Sequence, residues 1–304
     1  MEEKRISRYS RRINLFKQEF KTNWEIFKKN KLGLFGLGLL IFFGIMAAIS
    51  PIMPLLNEMY KPMTGVDPNI FQSNPPSGTH LLGTDFMGRD ILSQLMYGAQ
   101  IAFVIGITAA LAGVLIGTVI GLIAGYFGKG IDTLLMRIAD IILTLPSLPL
   151  IIIIAAAIGK QSIWIIVIII ALLGWPSTAR VIRACVLSLK ERPFVDAARV
   201  AGASDLRIIF CHIAPNVLPL SFLYMTFGVS GAILTEAGLS FIGLGDPSVV
   251  SWGMMLQWCF TTGHTFRAPY WILPPGICIS MLTFAFYLIG RALDEVINPR
   301  LRER

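Results

Sequence analysis

"AQIAFVIGITAALAGVLIGTVIGLIAGYF", residues 99–127, runs for 29 residues without a charged side chain. A helix needs roughly 20 apolar residues to cross a bilayer, so this stretch reads as a transmembrane helix. Its glycines include a strict four-residue ladder, Gly113, Gly117, Gly121 and Gly125, on one helix face. Small residues at that spacing let helix backbones approach closely, which is how membrane helices associate without a hydrophobic driving force. Helix packing is the favoured reading of the ladder; a smooth wall along a solute path is the alternative.

The rest of the chain has the same character. Of its 304 residues, 55% are hydrophobic and 14% charged, with a mean hydropathy of +0.69. Soluble domains average about 25% charged residues. The apolar residues gather into six predicted spans, near 32–56, 99–127, 131–158, 162–184, 215–243 and 271–293. Two connections are so short that their neighbouring spans form antiparallel hairpins. Pro146, Pro149 and Pro176 fall inside spans three and four, and Pro274 and Pro275 near the start of span six. Each removes a backbone hydrogen bond and can kink its helix. The first apolar run begins near Leu32 behind a long charged leader, unlike a removable signal, so it is expected to stay in the membrane. Cys185, Cys211, Cys259 and Cys278 have no metal-site spacing and read as reduced or buried fillers.

Lysine and arginine fix the orientation, because cytoplasmic loops retain positive charge. With the N-terminus inside, 22 of the 26 basic residues fall on the cytoplasmic side. Lys61, Arg89, Lys160 and Arg267 are left outside. The net charge of +8 is therefore a topology signal and gives little support to nucleic-acid binding. The chain divides into a basic cytoplasmic leader (1–31), a first span with a large external segment (32–98), a core (99–293) and a cytoplasmic tail (294–304). Within the core, 185–214 is the longest internal cytoplasmic loop.

Two carboxylates fall within spans, Asp140 and Glu236. An ionisable group in a membrane is costly and is a functional candidate by default. Asp140 lies three residues after Arg137, one helix face, and a local ion pair is the plainer expectation. Glu236 is expected near the outer surface, within reach of water. Structural roles are favoured for both over a place on a solute path.

The loop carries the most polar internal stretch, "VDAARVAGASDLRIIFCHIAPN" (195–216). Pro193 can open a helix in its first turn, and Gly202 supplies the left-handed residue that ends one. Ser204 then caps a second helix, with Asp205 at its positive end. Leu206, Ile209 and Ile213 form an apolar stripe on it, and Pro215 and Pro219 mark the start of span five. The result is a helix–glycine–helix hairpin at the inner membrane face, shaped as a knob for a cytoplasmic partner. An amphipathic loop lying in the lipid headgroups is the alternative.

Asp196-Ala197-Ala198, followed by Arg199, then Gly202-Ala203-Ser204-Asp205 and later Pro215, resembles the EAA loop of ABC-importer permeases. Asp196 stands where glutamate is usual, which keeps the charge and shortens the reach by one methylene. The stretches "HLLGTDFMGRDILSQLMYGAQ" (80–100), "LSFIGLGDPSVVSWGMML" (239–256) and "INPRLRER" (297–304) narrow the resemblance. They are similar to the branch that imports dipeptides, oligopeptides or nickel, and within it to the C-type subunit. The resemblance implies an all-α, six-helix, type I importer transmembrane domain in a prokaryotic inner membrane. It implies a B-type permease as heterodimer partner, two ATP-binding subunits that carry the ATP and magnesium, and an extracytoplasmic binding protein. Loop residues 196–199 and 202–205 would form the coupling element that docks on the ATPase.

Outside the membrane, His80, Asp85 and Asp90 have no standard metal-ligand spacing; turns and helix caps explain them, with Gly83 and Gly88. Trp252, Trp258, Tyr270 and Trp271 read as interfacial anchors. One or both external segments would face the binding protein, by resemblance. Gly128-Lys129 lacks the rest of a phosphate loop, so this chain is not expected to be the ATPase, and no nucleophile–base constellation appears. An ion-coupled secondary transporter, a membrane enzyme and a non-transporting assembly subunit are the rival readings. The first two find too few ionisable groups along the spans.

Overall fold

Caps and prolines set where the apolar runs become helices. The computed structural model describes residue 18 and residues 21–70 and 72–297. The leader cations up to Lys17, and Arg300, Arg302 and Arg304 of the tail, lie outside the described residues. Helix α1 spans Lys31–Ile49, and its cap Asn30 accepts from the Gly33 N–H at 2.8 Å. It stops ahead of Pro51, short of the expected 56, and Met53–Leu56 forms a separate turn. Helix α2, Ile91–Phe127, begins earlier than residue 99 because Asp90 caps it, accepting from the Ser93 N–H at 2.7 Å.

The third span is broken. Helix α3 (Lys129–Thr144) and helix α4 (Ser147–Ile158) meet at 90°. Leu145 between them is extended, the conformation that a following proline imposes. Helix α5, Ile163–Leu189, passes through Pro176. Helix α6, Pro193–Val200, is the first arm of the loop between α5 and α7. Helix α7 runs from Asp205 to Phe241, followed by α8 (Trp252–Thr261) and α9 (Pro269–Ile297). Among the described residues, five single helices are long and apolar enough to cross a membrane, or six spans with the bent α3–α4 pair as one.

Helix α2 is the hub, packed between α5 and α7 and touching α1 and α8. The glycine ladder lies against α5. A Cβ on Gly117 would stand 2.6 Å from the Trp175 carbonyl, on Gly121 2.7 Å from that of Ala179, and on Gly125 2.7 Å from the Val186 Cβ. Gly113 is different, since its Cβ would meet Ala171 at an ordinary 3.5 Å. Backbone approach this close is what the small-residue spacing allows.

One end of the bundle joins the two terminal spans, where Asn30 donates to the Glu295 carboxylate at 2.7 Å. The C-terminal end of α2 and helix α6 lie at this same end. At the other end, the Trp252 indole N–H of α8 donates to the Leu95 carbonyl at 2.9 Å and its ring meets Phe43 edge-on. The turn after α4 joins that end too, through Gln161 donating to the Gly243 carbonyl at 2.8 Å.

Candidate coupling loop and transmembrane cavity

Pro193 occupies the first turn of α6, and Gly202 ends the arm at φ +78°. Val195 and Ala198 face inward, into a cluster with Leu122 of α2, Val186 of α5 and Ile209 of α7. Asp196, Ala197, Arg199 and Val200 face outward, and Val200 is 90% exposed. Val200, Leu206 and Phe210 leave apolar surface at the tip, where a lone monomer gains nothing from exposing it.

The second arm differs from the expected short helix. It is the start of α7 itself, with one turn of π-helix at Ile208–Ile213. Pro215 has no N–H to donate back to Cys211, and the wide turn absorbs its ring. Pro219 likewise lies inside α7. The apolar stripe shifts by the same turn: Ile208, Ile209 and Ile213 are buried, while Leu206 is 65% exposed. Ser204 stands at the cap position with extended backbone but makes no side-chain cap bond.

Asp205 instead accepts from the Tyr126 hydroxyl at 2.6 Å. Arg199 donates to Asp196 at 3.0 Å, and its guanidinium carbon lies 5.8 Å from the Tyr126 ring centre. Tyr126, ahead of Asp196, is the first cause holding the Arg199 guanidinium above its ordinary value. Sequence reading missed Tyr126. Its one signal is a hydroxyl at the end of an apolar span.

Asp140 does not pair with Arg137. Its carboxylate accepts from Arg180 of α5, 40 residues away. A second clamp, Asp132 with Arg183 at 2.5 Å through both oxygens, joins the same two helices. Glu236 is buried rather than bathed in water, because α8 folds over the end of α7. It accepts from the Ser240 hydroxyl at 2.6 Å, and a Cβ on Gly253 of α8 would stand 2.8 Å from the Ala237 Cα.

A cavity of about 300 Å³ opens between α2, α5 and α7. Gly113, Gly174, Ser177, Thr178, Tyr224 and Phe227 line it, and no lining side chain is ionised.

His80 and Asp90 do come together, with Nδ1 2.9 Å from the carboxylate, and Asp67 is 3.4 Å from Nε2. Asp85 is held apart, accepting from Arg89 at 2.6 Å and from Gln94 at 2.8 Å. These carboxylates are spent on caps and turns. Among the described residues, no group of three or more His, Cys, Asp or Glu could hold a metal ion. Cys259 and Cys278 are buried, whereas Cys211 is exposed.

Residues 117–303 match the family described as "Binding-protein-dependent transport system inner membrane component". The chain belongs to this family. Residues 19–76 of the permease also match the "N-terminal TM domain of oligopeptide transport permease C". The dipeptide transport system permease protein DppC of Bacillus subtilis (strain 168) is 36% identical over 283 residues, 92% of this chain and 85% of the relative. The oligopeptide transport system permease protein OppC of the same strain is 36% identical over 279 residues, 91% of this chain and 88% of that protein. A putative peptide transport system permease protein of Brucella suis biovar 1 is 41% identical over 233 residues, 75% and 76% of the two chains. The resemblance seen in the loop and the external segments is thus that of a C-type peptide permease. The chain is a multi-pass membrane protein of the ABC-importer type.

Proposed function

We propose that this permease forms one half of the translocation path of an ATP-driven importer of dipeptides or oligopeptides, and performs no chemistry itself. The peptide assignment rests on the relatives above, whose names are those of peptide systems. A B-type permease supplies the other half. Two ATPase subunits, which bind the ATP and magnesium, grip the loop formed by residues 196–199 and 202–205. A substrate-binding protein docks on the external face of a prokaryotic cytoplasmic membrane.

One observation supports the coupling role most directly. The second arm of the loop is continuous with α7, so a displacement of the loop is a displacement of a spanning helix. Transport coupling needs an element with two positions linked to two states of the bundle. In this mechanism ATP binding closes the ATPase pair, moves the loop and opens the path outward; hydrolysis resets it. The cavity beside Tyr224 and Phe227 would be this chain's wall of the path. Its lining, mostly apolar with the hydroxyls of Ser177, Thr178 and Tyr224, suits solutes whose side-chain charges vary, since it presents no fixed charge to repel any of them.

The test is purification of the chain with its native partners, followed by peptide uptake into proteoliposomes. The expected result is copurification of a second permease and a phosphate-loop ATPase, with ATP-dependent uptake that unlabelled peptides suppress and nickel(II) does not. Folded chain alone, moving solute without ATP, would overturn the proposal and favour a secondary transporter.

A further inference from the structure

The loop is attached to the bundle in two ways, and only one of them is directional. Val195 and Ala198, with Ile208, Ile209 and Ile213 of the second arm, contribute apolar packing, which has no preferred direction. The polar attachment is a chain of three contacts, two hydrogen bonds and a cation–π contact between them. Asp196 accepts from Arg199, the Arg199 guanidinium carbon lies 5.8 Å from the Tyr126 ring centre, and the Tyr126 hydroxyl donates to Asp205. Its members lie on three separate elements: α6, the last turn of α2 and the first turn of α7.

The position of Tyr126 in the fold makes this chain of contacts consequential. It follows Gly125, whose absent Cβ leaves room for Val186 of α5, so the end of α2 cannot shift without disturbing that helix. The same end of α2 is thereby locked to α5 by packing, to the second arm of the loop by a hydrogen bond and to the first by a cation–π contact. The turn of π-helix at Ile208–Ile213 begins three residues after Asp205. It gives α7 a wide turn between the tethered residue and the membrane span.

We infer that Tyr126 is a positioning residue that links both arms of the coupling loop to the hub helix α2, so that loop movement reaches α2 and α5 as well as α7. This rests on the coupling role proposed above. Without the tether, the loop would still dock, the ATPase would still turn over, and the motion would enter α7 alone and leave α2 and α5 behind.

The test uses the assembled complex in proteoliposomes and reads ATP hydrolysed per peptide imported. Tyr126→Phe keeps the ring and removes the hydroxyl. It is expected to raise that ratio about tenfold, the size of effect given by losing one hydrogen bond to a charged partner. Subunit composition and melting temperature should stay at wild-type values. Asp205→Asn keeps an acceptor for the hydroxyl and should raise the ratio less than Asp205→Ala, which should match Tyr126→Phe. The double variant Tyr126→Phe/Asp205→Ala should be no worse than either single change, as two ends of one interaction require.

A wild-type ratio in Tyr126→Phe or in Asp205→Ala would overturn the inference. Equal losses in Asp205→Asn and Asp205→Ala would also overturn it, by assigning the effect to charge alone. Should Tyr126→Phe fail to assemble, the two Asp205 variants decide. Wild-type uptake that ignores ATP would instead bring down the coupling role itself, a different result from a coupled wild type with an indifferent Tyr126→Phe.

Discussion

Gly117 and Gly113 look equivalent in the sequence, but only one of them is confined. A valine at 117 would drive its Cβ to 2.6 Å from the Trp175 carbonyl and 2.8 Å from the Thr178 Cβ, both on a helix that cannot yield locally. Overpacking of this kind costs about 1–3 kcal/mol, and the ladder repeats the contact at Gly121 and Gly125. Gly117→Val is therefore expected to lower the melting temperature of the purified permease, while Gly113→Ala leaves it unchanged. Equal melting of the two variants would show that α2 and α5 do not rely on this approach. Asp67 allows a second prediction outside the membrane. The Asn69 backbone N–H, followed by His80, holds its carboxyl below the ordinary 3.8. A carboxylate lowered in the folded state stabilises the fold fully above its unfolded value, and the contribution is lost as pH falls through the folded one. The thermal advantage of wild type over Asp67→Asn should thus be present at pH 7 and shrink below about pH 4. A gap of the same size at both pH values would exclude ionisation of Asp67 as its source.

Gly202 acts through a whole element. Its φ of +78° belongs to the left-handed region, yet a Cβ there would meet nothing within 4 Å. The cost of substitution is conformational, about 1–2 kcal/mol for an L residue and more with a β-branched one. Gly202→Val should leave the spans inserted while re-aiming α6 relative to α7, and so raise ATP consumed per peptide. Normal coupled uptake by this variant would sink the role given to the loop. The turn itself was legible in the sequence, because Pro193 and Gly202 are local signals that act within a few residues. The span count was legible for the same reason, through runs of apolar residues. The parts that were not legible depend on distant partners. Asp140 pairs with Arg180 across two helices, which no i,i+3 spacing reveals. Glu236 is buried because α8 folds back over it, and α8 lies beyond the span that carries it. The continuity of α7 through Pro215 turns on a π-turn, since proline ordinarily signals a helix boundary. Tyr126 was overlooked because its partner Asp205 lies 79 residues on.

The arrangement of the whole molecule ties its topology to its chemistry. Asn30 and Glu295 hold the start of α1 and the end of α9 together, and α6 lies at the same end of the bundle. The segment 51–90, the turn after α4 and helix α8 are gathered at the other. The loop cations Lys190, Arg192, Arg199 and Arg207 are at the first end, so the positive-inside rule assigns that end to the cytoplasm. Orientation decides whether α6 can meet an ATPase at all, and it is open to direct measurement. In a background with Cys185, Cys211, Cys259 and Cys278 replaced by serine, single cysteines are introduced by Gly78→Cys and Ala201→Cys. Both positions are exposed, and a Cβ at Gly78 meets nothing within 4 Å. A membrane-impermeant maleimide applied to intact cells should label Gly78→Cys at once and Ala201→Cys only after permeabilisation. The reverse pattern would turn the bundle over, place the loop outside with the binding protein, and leave the ATPase nothing to grip.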